Sequence, residues 1–80
     1  TCSKVELRAI GEELGQTTFQ MSLDNGDNYE TVTAGFNGEA GTEKTLSNTG
    51  TSLKIKILWG SNSSNAEFPR IKAMAGYAKP

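Results

Sequence analysis

Phe19-Gln20-Met21-Ser22-Leu23-Asp24-Asn25-Gly26-Asp27-Asn28-Tyr29-Glu30-Thr31-Val32 is the stretch that decides the fold. Phe19, Met21 and Leu23 alternate with Gln20 and Ser22, so one face of an extended segment is apolar and the other polar. Asp24 to Asn28 then supplies a polar corner, and Asn25-Gly26 provides two residues that tolerate positive φ. Tyr29 to Thr33 leaves the corner as a return strand with Val32 inward and the β-branched Thr31 and Thr33 beside it. The stretch therefore reads as a β-hairpin, and the segments on both sides of it repeat the same period of two.

Upstream, Val5, Leu7 and Ala9 alternate with Lys4, Glu6 and Arg8, which predicts a half-buried strand over Lys4 to Ala9. Ile10 breaks that alternation before Gly11. Glu12 to Gly15 is too short for an independent helix and reads as a loop. Downstream, Ala34 to Thr42 is glycine-rich and predicts a loop, with Phe36 plugging one end of the core. Glu43 to Ser47 reads as a short strand pinned by Leu46, and Asn48 to Thr51 as a turn. Ser52 to Trp59 places Leu53, Ile55, Ile57 and Trp59 on one face, with Ser52, Lys54, Lys56 and Leu58 on the other. Gly60 to Asn65 is a polar loop. Pro69 biases Phe68 toward extended geometry and opens a last strand, Arg70 to Ala78. There Ile71, Ala73, Ala75 and Tyr77 share one face, and the two alanines predict bulk packed across from them, from Trp59 or Phe19. Arg70, Lys72, Met74 and Gly76 take the other face.

About six strands with close turns and no amphipathic helix predict an all-β fold, a small antiparallel β-sandwich of jelly-roll or immunoglobulin-like type. Its expected core is Phe19, Met21, Ile55, Ile57 and Ile71. Eighty residues make one domain, residues 1–80, and a chain this short buries only about 60% of its unfolded surface. The sequence opens at Thr1 without Met, which suggests a processed chain or a module of something larger.

Composition narrows the chemistry. There is no His, so the commonest general base, metal ligand and pH switch are missing together. The 8 basic residues against 9 acidic ones form no basic block that would drive phosphate-backbone binding. No nucleic-acid partner is therefore expected. Cys2 is the only cysteine, which excludes an intrachain disulfide framework. No apolar run approaches the ~20 residues of a membrane helix, and no signal peptide is evident. Gly35 to Gly41 lacks the Gly-Lys-Ser/Thr and the following helix of a phosphate-binding loop. No Ser, Thr or Cys has the partners of an activated nucleophile, so no catalytic residue is expected.

Three sets of residues remain as site candidates. Asp24, Asp27, Asn28 and Glu30 surround one turn and could offer oxygens to Ca²⁺, but the favoured reading is that Asp24 bonds its own turn, as Asx residues do. Otherwise no cofactor is expected. Tyr29, Trp59 and Tyr77, with Phe36, could present flat rings to a sugar, or pack into the core. Leu58 and Met74, on faces expected to point outward, are the candidates for a protein-contact surface.

Ser22-x-Asp24-x-Gly26-x-x-Tyr29 resembles an Asp-box, with Tyr where Trp is usual; that motif is a structural hairpin corner and implies no catalysis. More broadly, the order of "FQMSLDNGDNYETVTAG", "NTGTSLKIKILW" and "FPRIKAMAGYAK" is similar to small β-sandwich modules of bacteriophage tail, baseplate and other virion structural proteins. The resemblance implies a non-enzymatic structural or adhesive role in a virion or outside the cell. Its partners would be copies of the chain or neighbouring virion proteins, with host-surface glycan recognition as the alternative.

Overall fold

The computed structural model describes residues 1–58 and 70–80. Among these residues seven strands follow one another: β1 (Cys2–Glu12), β2 (Thr18–Ser22), β3 (Glu30–Val32), β4 (Gly35–Phe36), β5 (Lys44–Gly50), β6 (Lys54–Leu58) and β7 (Arg70–Lys79). A single 3-10 turn, Leu14–Gln16, links β1 to β2. The strands form two sheets. In the first, β7 runs antiparallel along one side of β1, while β5 (antiparallel) and β4 (parallel) share its other side. In the second, β2 is central between β3 and β6, both antiparallel to it.

The sheets stack as a small sandwich. Val5, Leu7 and Ala9 of β1 and Phe19 and Met21 of β2 point into one shared core, completed by Leu14, Leu23, Val32 and Leu46. β3 stacks over β5, because the Glu30 side chain reaches Ser47 and Asn48. β6 stacks over β7, because the bare Cα of Gly76 faces Ile55 and Met21. The result is three strands over three, β3-β2-β6 above β5/β4-β1-β7.

The hairpin forms as its sequence predicts, with β2 and β3 paired through Phe19–Val32, Gln20–Thr31 and Met21–Glu30. Asn25 and Gly26 both have positive φ, 63° and 88°, and the Asp27 N–H bonds the Asp24 carbonyl at 3.4 Å. That is the φ signature of a type I′ turn, whose twist suits a right-handed hairpin. A second turn of this kind lies at Asn37-Gly38, with φ of 51° and 97°, inside the glycine-rich segment expected to be a loop. The Asn37 N–H bonds the Ala9 carbonyl, and its Oδ1 accepts the Gly11 N–H, so this turn is docked on β1.

Other expectations are corrected. β5 runs through Asn48 to Gly50, where a turn was predicted. Leu14, placed in a loop by its neighbours, is a buried core residue. Ile55, Ile57 and Ile71 are only half-buried, because β6 and β7 lie at sheet edges and lack a covering neighbour on one side among the described residues. Phe36 is half-buried with its ring tilted against Phe19 at 6.1 Å between centroids.

The largest correction concerns β7. Ala73, Ala75 and Tyr77 lie on the outer face, and among the described residues no bulk packs across from them. The cause is a register shift: Ile10 pairs Ala73, but Gly11 pairs Ile71, so Lys72 is an extra residue on β7. One inserted residue inverts the alternation of everything beyond it. Ile71 thus keeps its inward face, while Met74, Gly76 and Ala78 take the inner side opposite Ala9, Leu7 and Val5. Trp59, the other expected core aromatic, lies outside the described residues.

A close backbone approach fixes the end of β5. A Cβ on Gly50 would collide with the Leu23 carbonyl oxygen, which also accepts the Ser52 N–H at 3.3 Å. Since that oxygen is backbone, it cannot swing away. Gly50→Ala is expected to cost about 2 kcal/mol, and thermal denaturation should show the midpoint falling by about 10 °C. An unchanged midpoint would mean that the end of β5 is not held against the Leu23 carbonyl.

Candidate contact surfaces

The acidic turn is occupied by its own backbone. The Ser22 hydroxyl donates to Asp24 Oδ1 at 2.6 Å and accepts the Gly26 N–H at 3.0 Å. Asn28 donates its N–H to Asp24 Oδ1 (3.0 Å) and its side-chain amide to Asp24 Oδ2 (2.8 Å). Both carboxylate oxygens of Asp24 are therefore engaged. The Ser22 hydroxyl, then the Asn28 amide and N–H, lower the Asp24 carboxyl from its ordinary 3.8 to about 2. A depressed carboxyl stabilises the fold above its unfolded value, and that contribution is lost as pH falls through the folded value. Thermal stability is accordingly expected to drop between about pH 4 and about pH 2. Asp24→Asn should flatten that drop; an unaltered slope would remove Asp24 from the account.

Glu30 is not part of the turn. Its Oε2 accepts the Ser47 N–H (2.8 Å), the Ser47 hydroxyl (3.0 Å), the Asn48 N–H (3.4 Å) and the Asn48 side-chain amide (2.9 Å). Partial burial pushes the carboxyl up, but the Ser47 and Asn48 donors and the field of Lys44 outweigh it and hold the group below its ordinary range. Asn48 Oδ1 in turn accepts the Leu23 N–H at 2.7 Å. One carboxylate and one amide thus clasp β3 and the end of β2 to β5. Asp27 stays exposed at the turn. Among the described residues, no three acidic or cysteine side chains come together as a cation site.

The rings do not form one platform. Tyr29 is half-buried beneath Lys56, whose Nζ lies 4.9 Å from the ring centroid, on the outer side of the second sheet. Tyr77 is 54% exposed on the outer face of the first sheet, paired across the ladder with Glu6. The two tyrosines occupy opposite sides of the sandwich, and Trp59 is outside the described residues.

Around Tyr77 an apolar stripe is exposed. Ile10, at 51%, pairs Ala73; Ala75 pairs Arg8; Tyr77 pairs Glu6. Beside the stripe an open cleft of about 220 Å³ is lined by Lys4, Glu6, Glu43, Tyr77 and Lys79. Lys79 Nζ bonds Glu43 Oε2 at 2.6 Å, which lowers the Glu43 carboxyl and raises the Lys79 ammonium. The sequence reading missed Ile10 as a surface residue, although its break in alternation was the available signal. Leu58 is exposed on the outer face of β6, opposite Thr18. Met74, expected outward, sits on the inner side opposite Ala9 and is 37% exposed because β7 ends the sheet.

No helix among the described residues is long and apolar enough to cross a membrane. The chain matches no protein-family model, no curated protein and no solved structure.

Proposed function

We propose that the chain is a non-enzymatic assembly module that works by holding another protein against its outer surface. The carrying observation is the exposed stripe Ile10, Ala73, Ala75 and Tyr77 on the first sheet. A contiguous apolar patch rimmed by charges is the ordinary signature of a contact surface, and Arg8, Glu6, Lys4 and Lys79 supply the rim. The absence of His and of any activated nucleophile in the sequence agrees with a role in binding. Placement in a virion, as a tail, capsid or decoration component, rests on the resemblance of segment order alone. Proteomics and immuno-electron microscopy of virus particles from the source test it. The chain should be found at fixed stoichiometry; its absence from particles, or turnover by the isolated chain, would overturn the reading.

A second reading is favoured by one observation. The exposed Tyr77 ring flanks a cleft whose Lys4, Glu6 and Glu43 could hydrogen-bond hydroxyls, an arrangement suited to sugar stacking. Glycan-array binding that Tyr77→Ala abolishes would establish it, and an array without signal would end it.

A further inference from the structure

The stripe on the outer face of the first sheet is uneven in height. On β1 it rises at Ile10, which is 51% exposed, and on β7 it rises at Tyr77, at 54%. Ala73 and Ala75 leave β7 low, and Ala73 stands directly across the ladder from Ile10. An apolar knob and a shallow site one strand away thus occupy the same rung.

The charges that bound the stripe are answered inside the chain. Arg8 Nε lies 3.3 Å from Glu6 Oε2, Glu12 lies 3.7 Å from Arg70 and 4.0 Å from Lys72, and Lys79 Nζ is 2.6 Å from Glu43 Oε2. Lys4 lines the same cleft as Glu6 and Glu43. A strongly charged partner of either sign would have to break these pairs to gain new ones. A partner with its own apolar centre and its own balanced rim does not. The chain itself carries such a face.

We infer that the partner held against this face is a second copy of the chain, packed stripe to stripe about a twofold axis that runs along the strands between β1 and β7. This rests on the assembly reading above and names its partner. Because ladder partners share one level, such an axis sets each β1 residue over its own ladder partner in the other copy. Ile10 then enters the low site over Ala73 of the second copy, and the reverse, so both knobs are covered at once. By the same register Arg8 lies over Ala75, the Tyr77 hydroxyl comes within reach of Glu6, and Glu12 meets Arg70. The rung of like charge, Lys4 with Lys79, has Glu43 and Glu6 beside it. A twofold axis across the strands, centred on the same stripe, would instead set Arg8 on Arg8. The area suffices: the molecule is 16 Å thick with a broad side of 42 × 25 Å, and a standard interface takes about 800 Å² from each partner. The contact needs no sheet edge, because the two first sheets face each other as the layers of a sandwich do. It is isologous and closes at two copies.

Sedimentation velocity over a concentration series, in about 0.02 M and about 0.5 M salt, tests this. The mass should rise from one copy to two and stop there. The dimer should survive the higher salt, where charges are felt over only about 4 Å, because its centre is apolar. Ile10→Lys alone and Ala73→Glu alone should each weaken dimerisation about tenfold or more. An equimolar mixture of the two variants should dimerise again, since the introduced charges then face one another. Misfolding cannot imitate that rescue, and melts of each variant confirm folding. A monomer at every concentration up to about 1 mM would overturn the inference, as would growth past two copies or a dimer that neither substitution weakens. If the chain occurs in particles at fixed stoichiometry but is a monomer when pure, the assembly reading stands and the twofold contact falls. A dimer that both substitutions weaken, with no chain in particles, keeps the contact and removes the chain from the virion.

Discussion

Phe19→Ala is expected to lower stability by about 4 kcal/mol, enough to unfold a large share of the protein at physiological temperature. Among the described residues Phe19 is the bulkiest fully buried side chain, with few others to share the loss. It is flanked on its own sheet by Val32 and Ile57 and touched by the Phe36 ring. Truncation would open a cavity bounded by two rigid sheets, which cannot collapse without breaking their ladders. Circular dichroism melts at neutral pH should show the midpoint falling by about 20 °C or more. Phe36→Ala, at a half-buried position, should cost distinctly less. A loss under about 1 kcal/mol for Phe19→Ala would mean the two sheets do not close over this ring.

Glu30→Ala should cost about 2 kcal/mol, as much as Gly50→Ala. Four donors from Ser47 and Asn48 converge on one carboxylate oxygen, and removing it strands donors that are partly shielded from water. Its stabilising contribution is present above the ordinary carboxyl value of 4.5 and is lost as pH falls, because the folded group is held lower. Glu30→Ala should therefore melt earlier at neutral pH and lose less on acidification than the parent. A double-mutant cycle with Asn48→Ala should give a coupling above about 0.5 kcal/mol. Purely additive losses would show that the clasp between β3 and β5 does not act as a unit.

What could be seen in the sequence was what is local. The Asp24–Asn28 corner is written in adjacent residues, so the hairpin, its turn and the faces of β2 follow directly. The all-β class follows from repeated alternation. Non-local pairings were not legible. Asn48 and Gly50 look like turn residues because of their propensities, yet Asn48 is spent on Glu30 and Leu23, and Gly50 is small because the Leu23 carbonyl needs the space. Neither demand is visible within a few residues of either position. The face of β7 was inverted because a bulge leaves no mark in alternation: Ile71, Ala73, Ala75 and Tyr77 read as a faultless apolar face. Ala73 and Ala75 of the exposed stripe were consequently assigned to the core. Of the two readings of the acidic turn, an ion site or an Asp24 that bonds its own turn, the second holds: Ser22 and Asn28 engage both oxygens of Asp24.

The additional residue in β7 has a consequence for fidelity. A strand with uniform alternation can slide by two positions and still point its oily side the right way. Here Ile71 and Gly76 must both meet the interior, yet they are an odd number of residues apart, on either side of the kink. Any slip that keeps one in place mislocates the bend and forfeits the other. The ladder thus has one phase, and a long terminal edge that might otherwise wander among near-equivalent pairings is held to a single alignment.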